Sequence, residues 1–528
     1  MDILLFNPYY SQLTDNYSFI RPAPPIGLMY LAGFLRKNNV DCKIIELGAF
    51  DAKDSIKTGR RVRFGSSDEA IGEIVSKERP RIVGLTCMYS VYYRDVVDIA
   101  NTIKKYAPGV KVVLGGNHAS SYWQQILKHP SVDFVVIGEG EETFLELAKY
   151  LLEGSDVSLV KGIAYRQQSG VLTKTQARPL IKDLDSIPLP AFDLIEFNKY
   201  LTEGNPFAMR SPAAGIISSR GCPGECVYCT VKAVWGRSWR GRSPKNVVDE
   251  IELLYNNYST REIAFLDDSA SIDRKRWEGI CDEIIKRKLN IKWTTPNGIA
   301  HWTLTKDILN KMKKAGCYRI TFGIESGFAE TRKFLGKPYD LRQAKELIQH
   351  ANYIGMWTIC TNIIGFPYEQ KESINATINF AKKSGTDFAT FYLLIPQPTS
   401  DVYEYFKKEG LLDLDAFFES TDFDEVEFEK INRVLNEIGT DTLYFKKEEL
   451  NKIQKEAYRS FIKYRARDYM LNPFKLLNKI NSPEEFSYVL RLLMMGLSIF
   501  FRTFNPLLKK SSDYLYPKSR AKIEVKSE

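Results

Sequence analysis

The chain has 528 residues, of which 44% are hydrophobic, 26% charged and 12% aromatic. This composition excludes a disordered or collagen-like polymer. The length is sufficient for roughly three or four domains, each with its own core. The 74 lysines and arginines exceed the 65 aspartates and glutamates by nine, an excess too small and too dispersed to indicate a nucleic-acid partner, and none is expected.

The two ends of the chain indicate a cytoplasmic protein. The N-terminus, MDILLFNPYY, carries Asp2 where a secretory signal needs positive charge, and no small-residue cleavage site follows an apolar run. The longest strongly apolar run, residues 492–501, has ten residues, whereas a bilayer-spanning helix needs about twenty. We therefore expect no transmembrane helix.

Residues 1–150 alternate short β-rich runs with longer amphipathic stretches. Strands are predicted at residues 3–6, 42–47, 81–86, 111–114 and 134–137. Most of these runs are apolar without strict alternation, which is typical of parallel strands buried on both faces. The pattern predicts a doubly wound, Rossmann-like α/β domain that binds its ligand at the carboxyl ends of the strands.

Three further regions follow. Residues 151–209 contain the hairpin-like GIAYRQQSGVLTK and the proline-rich DLDSIPLPAFDL, which predict a connector. Residues 210–400 contain six strand-like runs separated by helical stretches, which predict a partial (β/α)6 barrel with its site at the strands' carboxyl ends. These runs are GIISS, EIAFLDD, IKWTTPN, YRITFGI, WTICTNIIG and FATFYLLIP. Residues 401–528 predict a helical C-terminal domain, because KEELNKIQKEAYRSFIKYRARDYM has apolar residues at helical spacing.

Three of the eight cysteines cluster in RGCPGECVYC, directly after GIISS: Cys222, Cys226 and Cys229. Three thiolates with the spacing CxxxCxxC can hold a [4Fe-4S] cluster and leave the fourth iron open to a substrate. The alternative is a zinc knuckle, but no second CxxC or HxxxH pair lies within a zinc-finger distance. The remaining cysteines are expected to be buried thiols: Cys42, Cys87, Cys281, Cys317 and Cys360.

At this motif the sequence resembles the radical SAM superfamily, and the resemblance extends through most of residues 212–400. It implies that S-adenosylmethionine (SAM) binds the open iron of the cluster. The residues that it implies as SAM contacts end successive strands or adjoin the cluster: Tyr228, Asp267, Asp268, Glu325, Ser326 and Gly365. FLDD departs from the superfamily's Gly-Gly-Glu-type segment at Asp267 and Asp268.

A physical argument also concerns these two adjacent aspartates. Two carboxylates in a barrel mouth are costly unless they meet a cation or hydrogen-bond donors, and the ammonium group of SAM is such a cation. The alternative for Asp268 is the N-cap of a helix around residues 274–286.

The first domain resembles the cobalamin-binding domain that precedes the radical SAM barrel in cobalamin-dependent methylases and in the anaerobic magnesium-protoporphyrin ester cyclase. The resemblance rests on RPAPPIGLMYLAGFL, GLTCMYS, LGGNH and GEGEET. It implies these cobalamin contacts: Pro25, Gly27, Thr86, Ser90, Gly115, Gly116, His118, Gly138, Glu139 and Gly140. A dinucleotide pocket is disfavoured, because no glycine-rich turn follows the first strand.

The cobalt-ligating signature DxHxxG is absent, so base-off cobalamin without that histidine is implied. His118 either contacts cobalt or makes an ordinary hydrogen bond. The other histidines show no metal-ligand spacing, and we expect no chemistry from them: His129, His301 and His350.

The two resemblances imply an enzyme that cleaves SAM reductively to a 5′-deoxyadenosyl radical, modifies an unactivated carbon and needs an external electron donor. C-methylation through methylcobalamin is the leading function. Radical ring closure or rearrangement without methyl transfer is the second, and a non-catalytic cobalamin- or metal-binding regulator is the third.

The last segment bears on the substrate and on localisation. Residues 475–528 contain ten basic and five acidic residues around FSYVLRLLMMGLSIFFRTFNPLLKK. The segment either lies peripherally in a membrane interface, with Arg491, Arg502, Lys509 and Lys510 at the headgroups, or packs on the barrel as a helix. Because relatives implied by the resemblance act on hydrophobic molecules, we expect a hydrophobic, lipid-like or isoprenoid substrate.

Overall fold

The computed structural model describes residues 1–14, 17, 19–201, 208–337, 339–415, 429, 433–435, 439–504 and 526–527, without the side chains of residues 495–504 and 526–527. It confirms the predicted fold class: a doubly wound α/β unit is followed by a partial barrel of parallel strands and then by helices.

All five predicted strands of the first unit are present and pair in parallel within one seven-stranded sheet. The strands of this unit are β1 (Ile3–Asn7), β2 (Tyr10–Leu13), β3 (Cys42–Glu46), β4 (Ser55–Thr58), β5 (Arg61–Phe64), β6 (Ile82–Thr86), β7 (Lys111–Gly115), β8 (Phe134–Val136), β9 (Ile163–Arg166) and β10 (Leu172–Lys174). The order in the large sheet is β10-β9-β8-β7-β6-β1-β3. The hairpin β9–β10 of the predicted connector thus extends this sheet as antiparallel strands.

A small second sheet, formed by β4, β5, β2 and residues Lys526–Ser527, was not predicted. The large sheet is covered on both faces, and its strand β1 is apolar at every position from Ile3 to Phe6. In β1, Ile3 and Leu5 belong to one hydrophobic cluster, and Leu4 and Phe6 belong to another. The helices of this unit are α1 (Ile26–Lys37), α2 (Asp68–Glu78), α3 (Tyr93–Tyr106), α4 (Asn117–Ser121), α5 (Trp123–Ile126) and α6 (Gly140–Glu153). Alternate side chains therefore face opposite helical layers, with α1 and α6 on one side and α2 and α3 on the other.

The second unit contains the six predicted parallel strands in the order β11-β14-β15-β16-β17-β18, which is the predicted partial barrel. Its strands are β11 (Ala213–Ile216), β12 (Ser219–Gly221), β13 (Trp239–Gly241), β14 (Glu262–Phe265), β15 (Lys292–Ile299), β16 (Cys317–Glu325), β17 (Trp357–Ile364) and β18 (Phe388–Leu393). The short strands β12 and β13 form a separate antiparallel hairpin, which we call the cluster hairpin.

The remaining helices are α7 (Lys232–Trp235), α8 (Pro244–Asn257), α9 (Arg274–Lys286), α10 (Lys306–Lys314), α11 (Ala329–Phe334), α12 (Leu341–Tyr353), α13 (Lys371–Lys383), α14 (Asp401–Lys408), α15 (Lys447–Leu471), α16 (Phe474–Leu477) and α17 (Pro483–Phe504). Short 3-10 turns lie at Ser90–Tyr92, Val157–Leu159, Leu184–Ser186, Phe192–Leu194, Phe197–Lys199 and His301–Thr303.

Two of the C-terminal helices cover different parts of the barrel. Helix α15 packs on β18 through a cluster that contains Phe391 and Phe461. Helix α17 packs Tyr488 against Tyr318 and Trp357, which lie at the amino-terminal ends of β16 and β17. None of the helices in the described part of the chain combines the length and apolar character that a bilayer span requires.

Candidate functional site

The cysteine loop begins where the cluster hairpin turns at Gly221. This glycine has φ +84°, and a Cβ there would lie 2.2 Å from the carbonyl oxygen of Ser238, so only glycine fits. The loop is held between neighbouring segments, because the Val227 N–H donates to the Leu335 carbonyl at 3.4 Å and the Val402 N–H donates to the Val227 carbonyl at 2.8 Å. These two hydrogen bonds tie the middle of the cysteine loop to the segments around Leu335 and Val402.

Cys222, Cys226 and Cys229 are partly exposed on this loop, whereas the other five cysteines are buried, as predicted. The Gly224 N–H lies 3.4 Å from the Cys222 sulfur. Burial raises the pKa of Cys226 and raises that of Cys229 to about 11. Among the described residues, no three His, Cys, Asp or Glu side chains are grouped closely enough to hold one metal ion. Accessible thiols of this spacing on one loop fit the corner of a multi-iron cluster.

Two predicted SAM contacts, Tyr228 and Glu325, come together beside the loop. Glu325 ends β16 after a shift in strand register, has φ +60°, and its carboxylate lies 2.8 Å from the Lys337 ammonium. The same ammonium lies 5.7 Å from the Tyr228 ring centroid. Burial alone would lower the pKa of Lys337, but Glu325 and Tyr228 raise it well above its usual value. A buried cation, a carboxylate and an aromatic ring thus line one side of the site.

The two predicted aspartates differ in their surroundings. Asp267 is buried and accepts hydrogen bonds from the Ser218 N–H at 3.2 Å, the Ser218 hydroxyl at 2.7 Å and the Ser219 hydroxyl. It therefore ties the end of β14 to the start of the cluster hairpin, and its carboxylate is engaged by the protein itself. Asp268 is exposed and accepts from the Gly221 N–H at 3.2 Å, next to the cysteine loop.

The alternative role of Asp268 as a helix cap is wrong. Helix α9 begins after Asp273, whose side chain accepts from the Arg276 N–H at 3.0 Å. Asp268 lies five positions earlier, outside the first turn.

Ser326 and Gly365 lie at strand ends but differ in orientation. The buried Ser326 hydroxyl lies 3.1 Å from the Thr377 hydroxyl on α13 and accepts from the Phe328 N–H at 3.1 Å. Gly365 has φ +93° and donates its N–H to the Glu369 carboxylate at 2.7 Å. Burial raises the pKa of Glu369 to about 8.

The predicted cobalamin contacts of the first unit include a row of small residues along the carboxyl edge of the sheet. Thr86 and Gly115 are register partners at the ends of β6 and β7. Gly116 has φ +110°, and a Cβ there would lie 2.7 Å from the Cys87 carbonyl oxygen. The neighbouring positions are open: a Cβ would meet no described atom within 4 Å at Gly27, Gly138 or Gly140. Pro25 precedes α1 at the same edge. Such a row leaves a cradle for a flat ligand.

His118 has the structure of an ordinary buried histidine. Its Nδ1 lies 2.9 Å from the Ser90 hydroxyl, and its ring packs between Tyr93 and Tyr122 at centroid distances of 4.7 and 4.8 Å. Burial lowers its pKa to about 3. The hydrogen bond of one alternative is thus present and also engages Ser90, and contact of His118 with cobalt stays a prediction.

Glu139 has a role that the sequence did not indicate. Its carboxylate, 4% exposed, lies 2.9 Å from both Arg220 and Arg240 of the cluster hairpin, and Arg220 also pairs with Glu141. The Ile181 N–H donates to the same carboxylate at 2.7 Å. We call the two glutamates and two arginines the interdomain ion cluster: Glu139, Glu141, Arg220 and Arg240. This cluster joins the start of α6 to the hairpin that carries the cysteine loop. The Glu139 carboxylate is thus engaged by the protein itself, and its contact with cobalamin stays a prediction.

The glycine-lined edge of the first unit and the cysteine loop of the second unit are in direct contact. Asn117, which follows the glycine pair, places its amide nitrogen 3.5 Å from the hydroxyl of Thr230, which follows Cys229. Helix α4, which begins at Asn117, and helix α7, which begins two residues after Thr230, are in contact. Ligands held at the two edges would therefore be neighbours.

Sequence reasoning missed several residues of this site. Lys337 lies twelve positions beyond Glu325 in a loop without a recognised motif, and the arginines of the cluster hairpin carried no pattern. His301, from which no chemistry was expected, is fully buried with its ring 4.3 Å from that of Tyr339. Its two ring nitrogens have no hydrogen-bond partner within the described structure.

Comparison with known proteins also indicates a cobalamin-binding region followed by a radical SAM region. Residues 20–148 match the B12 binding domain family, and residues 216–381 match the Radical SAM superfamily. The chain is 34% identical over 439 residues to the uncharacterized methyltransferase PH0819 of Pyrococcus horikoshii, covering 83% of this chain and 87% of the relative. It is 28% identical over 444 residues to cytidylyl-2-hydroxyethylphosphonate methyltransferase of Streptomyces wedmorensis, covering 78% and 82%.

A third relative has a different reaction in its name. The anaerobic magnesium-protoporphyrin IX monomethyl ester cyclase of Rubrivivax gelatinosus is 29% identical over 415 residues, covering 76% of this chain and 70% of the relative. Among solved structures, the fold is similar to the radical SAM methyltransferase TsrM from Kitasatospora setae, solved with cobalamin and a [4Fe-4S] cluster, at TM-score 0.63 and 17% identity, covering 78% of each chain. It is also similar to the cobalamin-dependent SAM radical enzyme OxsB, at TM-score 0.64 and 16% identity, covering 96% of this chain and 73% of that one.

These matches and the geometry agree on the cofactors, which are cobalamin, a [4Fe-4S] cluster and SAM. The cysteine loop fits the cluster, the Tyr228–Lys337–Glu325 group adjoins it, and the glycine-lined edge adjoins both. The chain belongs to the cobalamin-dependent radical SAM enzymes, a family that includes methyltransferases and the anaerobic magnesium-protoporphyrin ester cyclases.

Proposed function

We propose that this enzyme methylates an unactivated carbon of a hydrophobic, lipid-like substrate. The observation that carries the proposal is the contact between Asn117 and Thr230, at 3.5 Å, which joins the cobalamin edge to the cluster loop. When bound, the cluster with SAM supplies hydrogen abstraction from carbon and cobalamin supplies a methyl group. Because the two edges touch, one substrate carbon between them can be reached from both sides.

The residues around the cluster loop have distinct roles in this proposal. Lys337 offers a buried positive charge for the carboxylate of SAM, and the Tyr228 ring offers a surface for its adenine. Asp268, exposed beside Cys222, offers an acceptor for the ammonium group. Asp267 and the interdomain ion cluster hold these groups in place without contacting the ligand.

Exposed apolar side chains at the same ends of the strands support a hydrophobic substrate. Met88 and Tyr89, in the loop that follows β6, are 49% and 65% exposed. Trp302, in the 3-10 turn that follows β15, is 41% exposed and stacks on Tyr339 at a centroid distance of 5.6 Å. Large exposed apolar groups at a ligand-binding edge favour an apolar ligand over a highly charged one.

The proposal is tested with holoenzyme reconstituted under anoxic conditions, a chemical reductant, SAM with a deuterated methyl group, and lipid extracts. We expect a deuteromethylated, organic-soluble product, together with S-adenosylhomocysteine and 5′-deoxyadenosine. Labelled methyl found only in water-soluble products would refute the hydrophobic substrate while leaving methylation intact.

Radical ring closure is the second candidate, favoured by the similarity to the Rubrivivax gelatinosus cyclase over 415 residues. It predicts 5′-deoxyadenosine and a dehydrogenated or cyclised product without S-adenosylhomocysteine. The ratio of the two nucleoside products therefore distinguishes the candidates in the same assay.

A further inference from the structure

The last two strands of the barrel, β17 and β18, turn alternate side chains to opposite sides of the barrel wall. One set is buried against the surrounding helices and includes Cys360, Ile364, Phe391 and Leu393. The other set faces the barrel interior and forms three register pairs: Ile359 with Phe388, Thr361 with Thr390, and Ile363 with Tyr392. All six of these inward side chains are partly or largely exposed, and none is charged. The interior here is therefore an uncharged, partly open wall.

This wall adjoins the buried ion pair of Lys337 and Glu325. A Cβ added at Gly323 of β16 would lie 3.6 Å from the Lys337 ammonium and 2.9 Å from the Glu325 carboxylate. The same Cβ would lie 3.9 Å from the Thr361 hydroxyl, and Gly323 is the register partner of Thr361. Both positions thus face the side on which the ion pair lies. A molecule on the wall would be next to the proposed SAM contacts.

Three threonines on adjacent strands contribute hydroxyl groups to this interior: Thr321, Thr361 and Thr390, which we call the inner threonines. The hydroxyls of Thr321 and Thr390 have no hydrogen-bond partner among the described residues, and Thr321 is only 1% exposed. The Thr361 hydroxyl makes one long contact, 3.5 Å to the Phe322 carbonyl. Buried hydroxyls without partners cost free energy, which a bound polar group would recover. Rotation about the Cα–Cβ bond of Thr390 would turn its hydroxyl toward such a group.

The surroundings of the inner threonines are apolar below and open above. At the amino-terminal end, Phe388 stacks on Trp357 at a centroid distance of 5.5 Å, and Tyr488 of α17 packs against Trp357 at 5.9 Å. At the carboxyl end, Tyr392 is 54% exposed. A molecule that enters from the carboxyl end would therefore meet aromatic and aliphatic groups on either side of the hydroxyls.

We propose that the inner threonines select a substrate with a neutral oxygen group, a hydroxyl or a ketone, within an apolar skeleton. A threonine hydroxyl can donate to and accept from such a group. A charged group is disfavoured, because the six inward side chains of β17 and β18 carry no charge and Lys337 is already paired with Glu325. The inference rests on the proposed methylation of a hydrophobic substrate and names the class to which that substrate belongs.

The test uses lipid extracts separated into hydrocarbons, neutral oxygen-containing lipids and charged lipids. Each fraction is incubated with anoxic holoenzyme, a reductant and SAM with a deuterated methyl group. We expect deuteromethylated products chiefly from the neutral oxygen-containing fraction. Thr390→Val replaces the hydroxyl by a methyl group of similar size and should lower the rate of labelling at limiting extract about tenfold. Thr390→Ser, which keeps the hydroxyl, should stay close to the wild type.

A matched control and a second variant complete the design. Thr58→Val changes an exposed threonine on β4 of the first unit and should label like the wild type. Thr321→Val tests a second inner threonine and should also slow labelling, with iron content, cobalamin content and melting temperature confirming that each variant is folded. Labelled products chiefly from hydrocarbons or charged lipids would overturn the inference and leave methylation of a lipid intact. Wild-type labelling by both valine variants would overturn it as well, whereas the absence of any labelled lipid would refute the proposed function on which it rests.

Discussion

Replacing Arg220 by methionine tests whether the interdomain ion cluster holds the two cofactor units together. Arg220 lies on the cluster hairpin two positions before Cys222, and it meets Glu139 and Glu141 at the start of α6. Methionine retains most of the apolar stem and removes the guanidinium. The change therefore isolates the charge from the packing.

The magnitude follows from burial. The Arg220, Glu139 and Glu141 side chains are 11%, 4% and 7% exposed. Burial alone would lower the pKa of Arg220, but Glu141 and Glu139 raise it above its usual value, so the cation is fully retained. Removing one partner leaves buried carboxylates without that cation, which costs about 3–5 kcal/mol. For domains of this size, such a loss lowers the melting temperature by roughly 6–20 °C.

The assay is thermal unfolding of the anoxic holoenzyme, followed together with its iron and cobalamin content. We expect Arg220→Met to melt several degrees lower and to retain less iron, since the hairpin carries the cysteine loop. The control is Arg36→Met, which removes an exposed ion pair with Asp193 worth at most about 1 kcal/mol. If Arg220→Met were no less stable than Arg36→Met and kept its iron, the stabilising role of the interdomain ion cluster would be refuted.

Three further predictions concern single residues. Cys226→Ala is expected to abolish the absorption of the [4Fe-4S] cluster and to lower SAM cleavage more than about 100-fold. Cys281→Ala, which changes a buried thiol, should retain both, and equal iron content in the two variants would contradict the assignment of the iron–sulfur site. Gly116→Ala is expected to lower cobalamin stoichiometry because the Cβ meets backbone at 2.7 Å, whereas Gly109→Ala has open space and should bind normally by absorption spectroscopy. Burial raises the pKa of Glu369 to about 8, so the folded protein favours the protonated carboxyl; the stability of the fold is then highest below the ordinary pKa of glutamate and falls as the pH rises toward 8. Glu369→Gln, which cannot ionise, should be more stable than the wild type at pH 8 by up to about 4 kcal/mol and should show a flatter dependence of melting temperature on pH. An unchanged pH profile would contradict this prediction.

The strands of both units could be predicted because their sequences satisfy local rules. In β1 every residue from Ile3 to Phe6 is apolar, and only a strand covered on both faces accommodates that run. The small sheet around β4 and β5 was missed because RVRF and SIKT contain too few apolar residues to stand out. The hairpin β9–β10 was recognised, but its attachment to the large sheet depends on long-range pairing.

The exposure of Cys222, Cys226 and Cys229 on one loop could be predicted, because three cysteines at fixed spacing are a pattern that the sequence itself contains. The remaining contacts depend on where side chains point. A register shift and a positive φ at Glu325 aim that carboxylate at Lys337, while the adjacent Ser326 points to α13. The Asp267 carboxylate accepts a hydrogen bond from Ser218, far away in the sequence. The Glu139 carboxylate forms ion pairs with Arg220 and Arg240, which are also distant in the sequence. No local pattern reveals such pairings.

The interdomain ion cluster also limits how the protein can be divided. A barrel expressed from residue 210 onward would keep Arg220 and Arg240 but lose the carboxylates that neutralise them, and an isolated N-terminal fragment would expose Glu139 and Glu141 without the arginines that hold them. Truncations designed to obtain a minimal catalytic core should therefore yield poorly behaved material, and co-expression of the two halves should rescue it.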